Sequence, residues 1–178
     1  MANEYLKRTP TSGGNRRVFT WAGWQKTNTA PVASSEWYAF FSAGNFGSTT
    51  PSFVFDNTGG ARAALFENGG YNSYKFTGSS RDVGSWRHVM VVVNTTEGDD
   101  EDRLNVYING VRQGTGGFLA TSINYDTGVN LASQIHRIGA FESNSGIISL
   151  AKEVISDIFF VDGQALTPDV FGFYKDGD

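Results

Sequence analysis

The densest chemistry in this 178-residue chain is the run Glu97-Gly98-Asp99-Asp100-Glu101-Asp102, which gathers five of the 18 carboxylates into one short stretch. Glu97, Asp99 and Glu101 fall at alternate positions. On a strand that spacing puts carboxyls on one face, and retaining glycoside hydrolysis needs two of them about 5 to 5.5 Å apart, held rigidly enough for one to stay protonated. Rigid support is missing, because the run contains Gly98, has no apolar residues between its acids and joins two strands. It reads as a solvated turn, and hydrolysis is set aside. The same acids, Glu97, Asp99, Asp100, Glu101 and Asp102, form a weak candidate loop for Ca²⁺, which takes about six to eight oxygen ligands. The order of Asp, Asn and Gly in an EF-hand loop is absent. No cofactor is therefore expected, and Ca²⁺ chelation is expected to leave the melting temperature unchanged.

His88 and His136 are the two histidines. Neither has an assignable nucleophile or orienting carboxylate in the sequence, so both read as packed side chains that hydrogen-bond locally rather than as catalytic bases. Aromatic rings stack on sugars, which brings Trp21, Trp24, Trp37, Tyr71 and Tyr74 into question, yet each lies in or beside an apolar run where a core role is ordinary. Tyr71, after Gly69-Gly70 and before Asn72, is the ring expected to be exposed. Tyr71, Asn72 and Tyr74 are the candidate glycan contacts.

The elements that position these residues are strands. Across 85–94, Val89, Val91 and Val93 share one face while Met90 and Val92 make the other apolar, the pattern of a strand covered on both sides. In 103–110, Leu104, Val106 and Ile108 alternate with Arg103, Asn105 and Tyr107, which predicts a half-buried strand. Asn109-Gly110 then supplies two residues able to take positive φ, and the chain should reverse at once into Val111 and Arg112. Earlier, 16–26 places Phe19, Trp21 and Gly23 on one side and Thr20, Ala22 and Trp24 on the other. Glycine among rings implies close packing at Gly23. Residues 37–43 are apolar on both faces, and 53–55, 63–66 and 74–76 follow at short intervals with turn signals between them. Residues 135–139, 147–150 and 154–161 are the later strands. Residues 114–128 read as a long loop with room for one short strand. Thr167-Pro168 offers an N-cap and a proline at the first helical position, which predicts a single turn over 169–173.

These residues resemble a known family. Arg81-Asp82, Trp86, His88 and the valines, followed by Arg103-Leu104-Asn105-Val106-Tyr107-Ile108-Asn109-Gly110-Val111, look like the signature of concanavalin A-like jelly rolls, in the laminin-G and pentraxin-like branch found in structural proteins of tailed bacteriophages. Tyr5 to Arg17 leading into Phe19-Thr20-Trp21-Ala22-Gly23-Trp24-Gln25-Lys26 is similar to the opening strands of those domains, and Val154 to Pro168 with Phe171-Gly172 to the closing strand and turn. The resemblance implies an all-β, antiparallel two-sheet jelly-roll sandwich with one short C-terminal helical turn, spanning 1–178 as a single domain. It implies a virion structural protein, a capsid-decorating knob or small tail or fibre subunit, with a carbohydrate-binding module for host surface polysaccharide as the alternative. Jelly-roll glucanases of the superfamily carry alternate carboxylates on a strand, and pentraxin and laminin-G relatives use calcium at loop ends. Some phage domains of this type are fused to a fibre shaft, whereas this chain starts almost directly on the fold, so docking by its own surfaces is expected.

Composition agrees with strands and turns: 22 glycines and 14% aromatic residues are what many short strands joined by tight turns require. With no cysteine, disulfides and thiolate metal sites are excluded. A net charge of −4 supplies no basic footprint for nucleic acid. No apolar stretch is long enough for a membrane span or an export signal, so synthesis in a cytoplasm is expected, and residence in the virion is what the resemblance implies. Three stretches, 37–43, 89–93 and 158–161, are apolar on both faces and need a second cover. Residues 114–128 are too poor in large side chains to cover all three, so part of the outer face is expected to be an interface with other virion proteins or within a symmetric homo-oligomer, for which the resemblance to phage appendages suggests a trimer.

Overall fold

A computed structural model describes residues 4–28, 38–45, 52–57, 60–67, 70–75, 84–114, 121–143 and 145–172. The strands run β1 (Leu6–Arg8), β2 (Val18–Thr27), β3 (Tyr38–Ala43), β4 (Ser52–Asn57), β5 (Gly60–Glu67), β6 (Gly70–Lys75), β7 (Trp86–Asn94), β8 (Leu104–Ile108), β9 (Val111–Arg112), β10 (His136–Ile138), β11 (Ala140–Ser143), β12 (Gly146–Leu150) and β13 (Glu153–Asp162). Two 3₁₀ turns, Asp100–Asp102 and Pro168–Val170, are the helical segments among the described residues. The order β1-β10-β3-β4-β5-β6 makes one sheet, β13-β2-β7-β8-β9 faces it, and β11-β12 forms a separate hairpin. All pairings are antiparallel. The molecule is the two-sheet jelly-roll sandwich that the sequence implies.

The core lies between the sheets and follows the period of two. Val89, Val91 and Val93 of β7, Phe19 and Trp21 of β2, and Leu104 and Val106 of β8 meet Phe41 and Ala43 of β3. Fully burying a side chain of this size contributes about 1.5–3 kcal/mol, so this face accounts for most of what holds the sheets together. At Gly23 the expectation of close packing is met: a Cβ there would sit 3.3 Å from Ile158 Cγ1 and 3.5 Å from the Trp21 ring.

The second covers differ from expectation. Tyr38 and Ser42, on the other face of β3, are buried because the β11–β12 hairpin packs over them, while the bulge between Ala39 and Phe41 turns Phe40 into the core between the sheets. Ser42 Oγ donates to the Ala140 carbonyl at 2.8 Å, and Lys152 Nζ donates to the Tyr38 hydroxyl at 3.2 Å. Met90 and Val92 of β7 are closed over by Tyr107, Leu166 and Phe171. Thr20 fastens that C-terminal strap, its Oγ1 donating to the Gln164 carbonyl at 2.8 Å and accepting from the Leu166 N–H at 2.9 Å. Two of the three two-sided strands are thus covered by this chain itself, through 140–150 and 164–171. Neither a neighbour nor the loop after Gly114 is needed there. On β13, Phe159 stays 50% exposed and Phe160 37% exposed.

Smaller departures have local causes. Arg103 precedes β8 and is buried, since its guanidinium is used by the acidic loop. Ala140–Ser143 is a strand that the sequence pattern does not announce, following immediately on Gly139 at φ 81°. A bulge interrupts the β13–β2 register between Ser156 and Phe159, with Asp157 at φ 48°. Thr167 occupies the N-cap position of the last turn without a side-chain cap bond, and the turn spans Pro168–Val170 rather than 169–173. No strand falls in 121–128; residues 115–120 of the expected loop, like Trp37, Phe76 and Arg81-Asp82, lie outside the described residues.

Candidate functional site

The acidic loop is organised by arginines. Buried Arg103 donates from Nε to the Glu97 carbonyl, from Nη2 to the Gly98 carbonyl and from Nη1 to the Thr121 carbonyl, each at 2.8 Å, and pairs through Nη1 with Asp100. Arg112 pairs with Asp102 at 2.8 Å and also reaches the Glu101 carbonyl. Glu97 Oε1 accepts from Asn94 Nδ2 at 2.6 Å, and Asp99 Oδ1 caps the Glu101 N–H. Glu97, Asp99, Asp100, Asp102 and the loop carbonyls are turned to internal donors rather than to a common point. Among the described residues no group of three or more His, Cys, Asp or Glu side chains is placed to hold a metal.

The candidate glycan contacts fall on β6, the outermost strand of the six-stranded sheet. Tyr71 stands opposite Phe66, Asn72 opposite Leu65 and Tyr74 opposite Ala63. The strand expected over 74–76 begins instead at Gly70, which pairs with Glu67, so that Tyr71 lies within it. The side chains of Tyr71, Asn72 and Tyr74 lie outside the described part of the structure.

Both histidines are packed. His136 Nδ1 faces the Gln134 carbonyl at 3.0 Å and Nε2 accepts from the Asn130 N–H at 3.0 Å, which assigns the neutral tautomer with the proton on Nδ1. Burial pushes its pKa below the ordinary value, opposed by the Gln134 carbonyl. With both nitrogens committed, the ring has none left for a substrate. His88 lies between Trp24 and Phe171, with ring centroids 5.3 and 5.9 Å away, and burial lowers its pKa too. Its backbone N–H donates to Asn109 Oδ1 at 2.8 Å, tying the ring's position to the β8–β9 turn.

The outer face of the five-stranded sheet gathers what the sequence leaves scattered. Register sets Val154, Lys26 and Trp86 in one row and Ser156, Trp24 and His88 in the next. Trp24 is 38%, Trp86 44%, Val154 46% and Phe159 50% exposed. Phe171 packs against Phe159 at 5.7 Å, and between Trp24, His88, Asn109, Pro168 and Phe171 lies a cleft of about 160 Å³. A period-two reading places Trp24 and His88 each on the outer side of its strand, but not opposite one another. A second, larger cavity of about 480 Å³ lies at the side of the sandwich between β1 and the end of β13.

Comparison with solved structures gives the same fold. The chain is 21% identical to a heptameric SAP-like pentraxin from Limulus polyphemus, with a TM-score of 0.59, covering 92% of this chain and 71% of that one. Mouse laminin α1 domains LG4-5 match at 15% identity and TM-score 0.63, covering 94% of this chain and 41% of the other. The binding domain of botulinum neurotoxin serotype D matches at 15% identity and TM-score 0.64, covering 96% and 39%. The chain thus spans about two-fifths of the laminin and toxin chains. No curated protein matches it. The laminin-G family model of the concanavalin A-like lectin/glucanases superfamily matches residues 2–144, and with the strand order above this makes the chain a laminin-G-like member of that superfamily.

Proposed function

We propose that the chain is a non-enzymatic docking module that serves as a structural subunit of a tailed-bacteriophage particle, a capsid-decorating knob or a small tail or fibre subunit, and assembles as a homo-oligomer on other virion proteins. The observation that carries the docking part is the exposed strip Val154, Trp86, Trp24 and Phe159 on one sheet face, since soluble surfaces seldom leave adjoining tryptophans and phenylalanines in water without a partner. The sequence motifs from Trp86 to Val111 support the phage context. The heptameric state of the Limulus relative supports self-association in this fold. Quantitative mass spectrometry of purified particles tests the role. Many copies per particle are expected, and a chain found only free in the lysate would remove the structural reading.

One observation favours a second reading, recognition of a host saccharide. The cleft bounded by Trp24, His88, Asn109 and Phe171 offers ring faces and an amide, the combination that receives a sugar ring. Glycan-array binding that disappears in Trp24→Ala, with melting unchanged, would move the weight to this reading.

A further inference from the structure

Among the described residues the sandwich is open along one side. There the six-stranded sheet ends in β1, three residues long and exposed throughout, and the five-stranded sheet ends in β13. Phe160 reports the consequence. It stands opposite Trp21 and points between the sheets, stacked on Phe19 at 5.7 Å and on Phe41 at 6.1 Å, yet 37% of it is exposed. Leu6, across the gap on β1, is 69% exposed. The cavity of about 480 Å³ lies between them, with Phe41 and Ile138 also in its wall and Arg8 and Asp162 at its rim.

We propose that this open side is a docking groove for an extended acidic peptide segment of a partner protein, which adds a strand beside β1 and lowers one large apolar side chain between Leu6 and Phe160. The inference rests on the docking reading above and names the partner's chemistry. Three features converge on that occupant. An edge strand turns alternate N–H and C=O groups away from its own sheet, which is the template for strand addition. The cavity supplies an apolar seat for a side chain on the added strand. Charge supplies the preference: Lys7 and Arg8 form no ion pair among the described residues, whereas the rim carboxylate is already engaged. Asp162 Oδ1 accepts from the Asn15 N–H and from Asn130 Nδ2, both at 2.8 Å, and its Oδ2 lies against Gly14. Lys7 and Arg8 against that one carboxylate leave the rim net positive on a chain whose net charge is −4. A second copy of the chain is disfavoured here, because pairing β1 with β1 sets Lys7 and Arg8 against the same cations.

The test is a titration of the full chain, followed by NMR, with the probe Ac-Glu-Val-Phe-Val-Glu-NH₂, its backbone N-methylated form and Ac-Lys-Val-Phe-Val-Lys-NH₂. Saturable binding of the acidic probe is expected, about tenfold weaker for each of the other two, which is about 1.4 kcal/mol. In Lys7→Glu/Arg8→Glu the order of the acidic and basic probes should invert. Both positions are exposed, so this variant should melt as the parent does, and a global loss of fold cannot imitate an inversion. Undiminished binding of the N-methylated probe would show a pocket for a free amphiphilic anion and overturn strand addition. Absence of binding, or no inversion, would also overturn it. Particle abundance with a flat peptide series would remove this groove and leave the structural role standing.

Discussion

Arg103 is the residue on which the acidic loop depends. It neutralises the crowding of Glu97 to Asp102 from inside, with three backbone carbonyls and one carboxylate on a single buried guanidinium. Removing it leaves those carbonyls without a donor, so Arg103→Leu should lower stability by about 2–4 kcal/mol. Asp100, whose side chain is 54% exposed, is screened by water, and Asp100→Asn should cost under about 1 kcal/mol. Chemical denaturation of the two variants checks the ranking, and equal midpoints would show that the arginine is not the organiser. His136 and His88 give a second prediction. Burial lowers both folded pKa values below the ordinary 6.5, so the unfolded chain binds more protons as pH falls. Their contribution is therefore present above about pH 6.5 and is lost progressively below it. Asp126, whose pKa is lowered by its hydrogen bond to Arg17, acts only at more acidic pH, below its ordinary 3.8. The melting temperature should fall between pH 7 and pH 5, and His136→Gln should flatten that slope. A slope unchanged in the variant would remove His136 as its source.

At the scale of elements, the β8–β9 turn has the geometry expected of Asn-Gly: Asn109 at φ 49° and Gly110 at φ 75°, with Ile108 paired to Val111. A β-branched residue is strained at positive φ, so Gly110→Val should destabilise by about 1 kcal/mol or more. Thermal melts against Asp100→Asn read this directly, and equal shifts would show the turn to be permissive. This hairpin, β2, β3, β7 and β13 were legible because short runs that either alternate with a period of two or are apolar on both faces, closed by turn residues, have few other solutions. The Ala140–Ser143 strand was not legible: four residues after a glycine carry too little pattern, and only pairing with β12 makes them a strand. The C-terminal strap was hidden for a different reason. Leu166 and Phe171 look like isolated residues until Thr20 anchors the segment over Met90 and Val92. Of the candidate sites, the acids were found and read as a turn, but their arginine partner was assigned to a strand face. The Trp24–His88 pair depended on inter-strand register, which no single strand encodes.

At the scale of the molecule, closure and exposure are unevenly shared. The hairpin over β3 and the strap over β7 dispose of two apolar faces within the chain, so the case for assembly narrows to the strip around β13 and the outer ends of β2 and β7. Val154 and Trp86 are the residues to alter, since both are exposed, neither belongs to the core clusters, and they flank Lys26 in one row. If that row is the self-association surface, Trp86→Lys/Val154→Lys adds two like charges beside Lys26 at each contact and should convert an oligomer into a monomer. The fold should be unaffected, because both new side chains reach water. Sedimentation of parent and variant at matched concentration, with melting curves alongside, decides it. A parent oligomer, a trimer by the expectation above, and a monomeric variant of equal melting temperature are expected. A parent that is itself monomeric would leave the strip to bind a different chain, and particle incorporation should then fall in the same variant. Should incorporation also be unchanged, the strip is not the docking face.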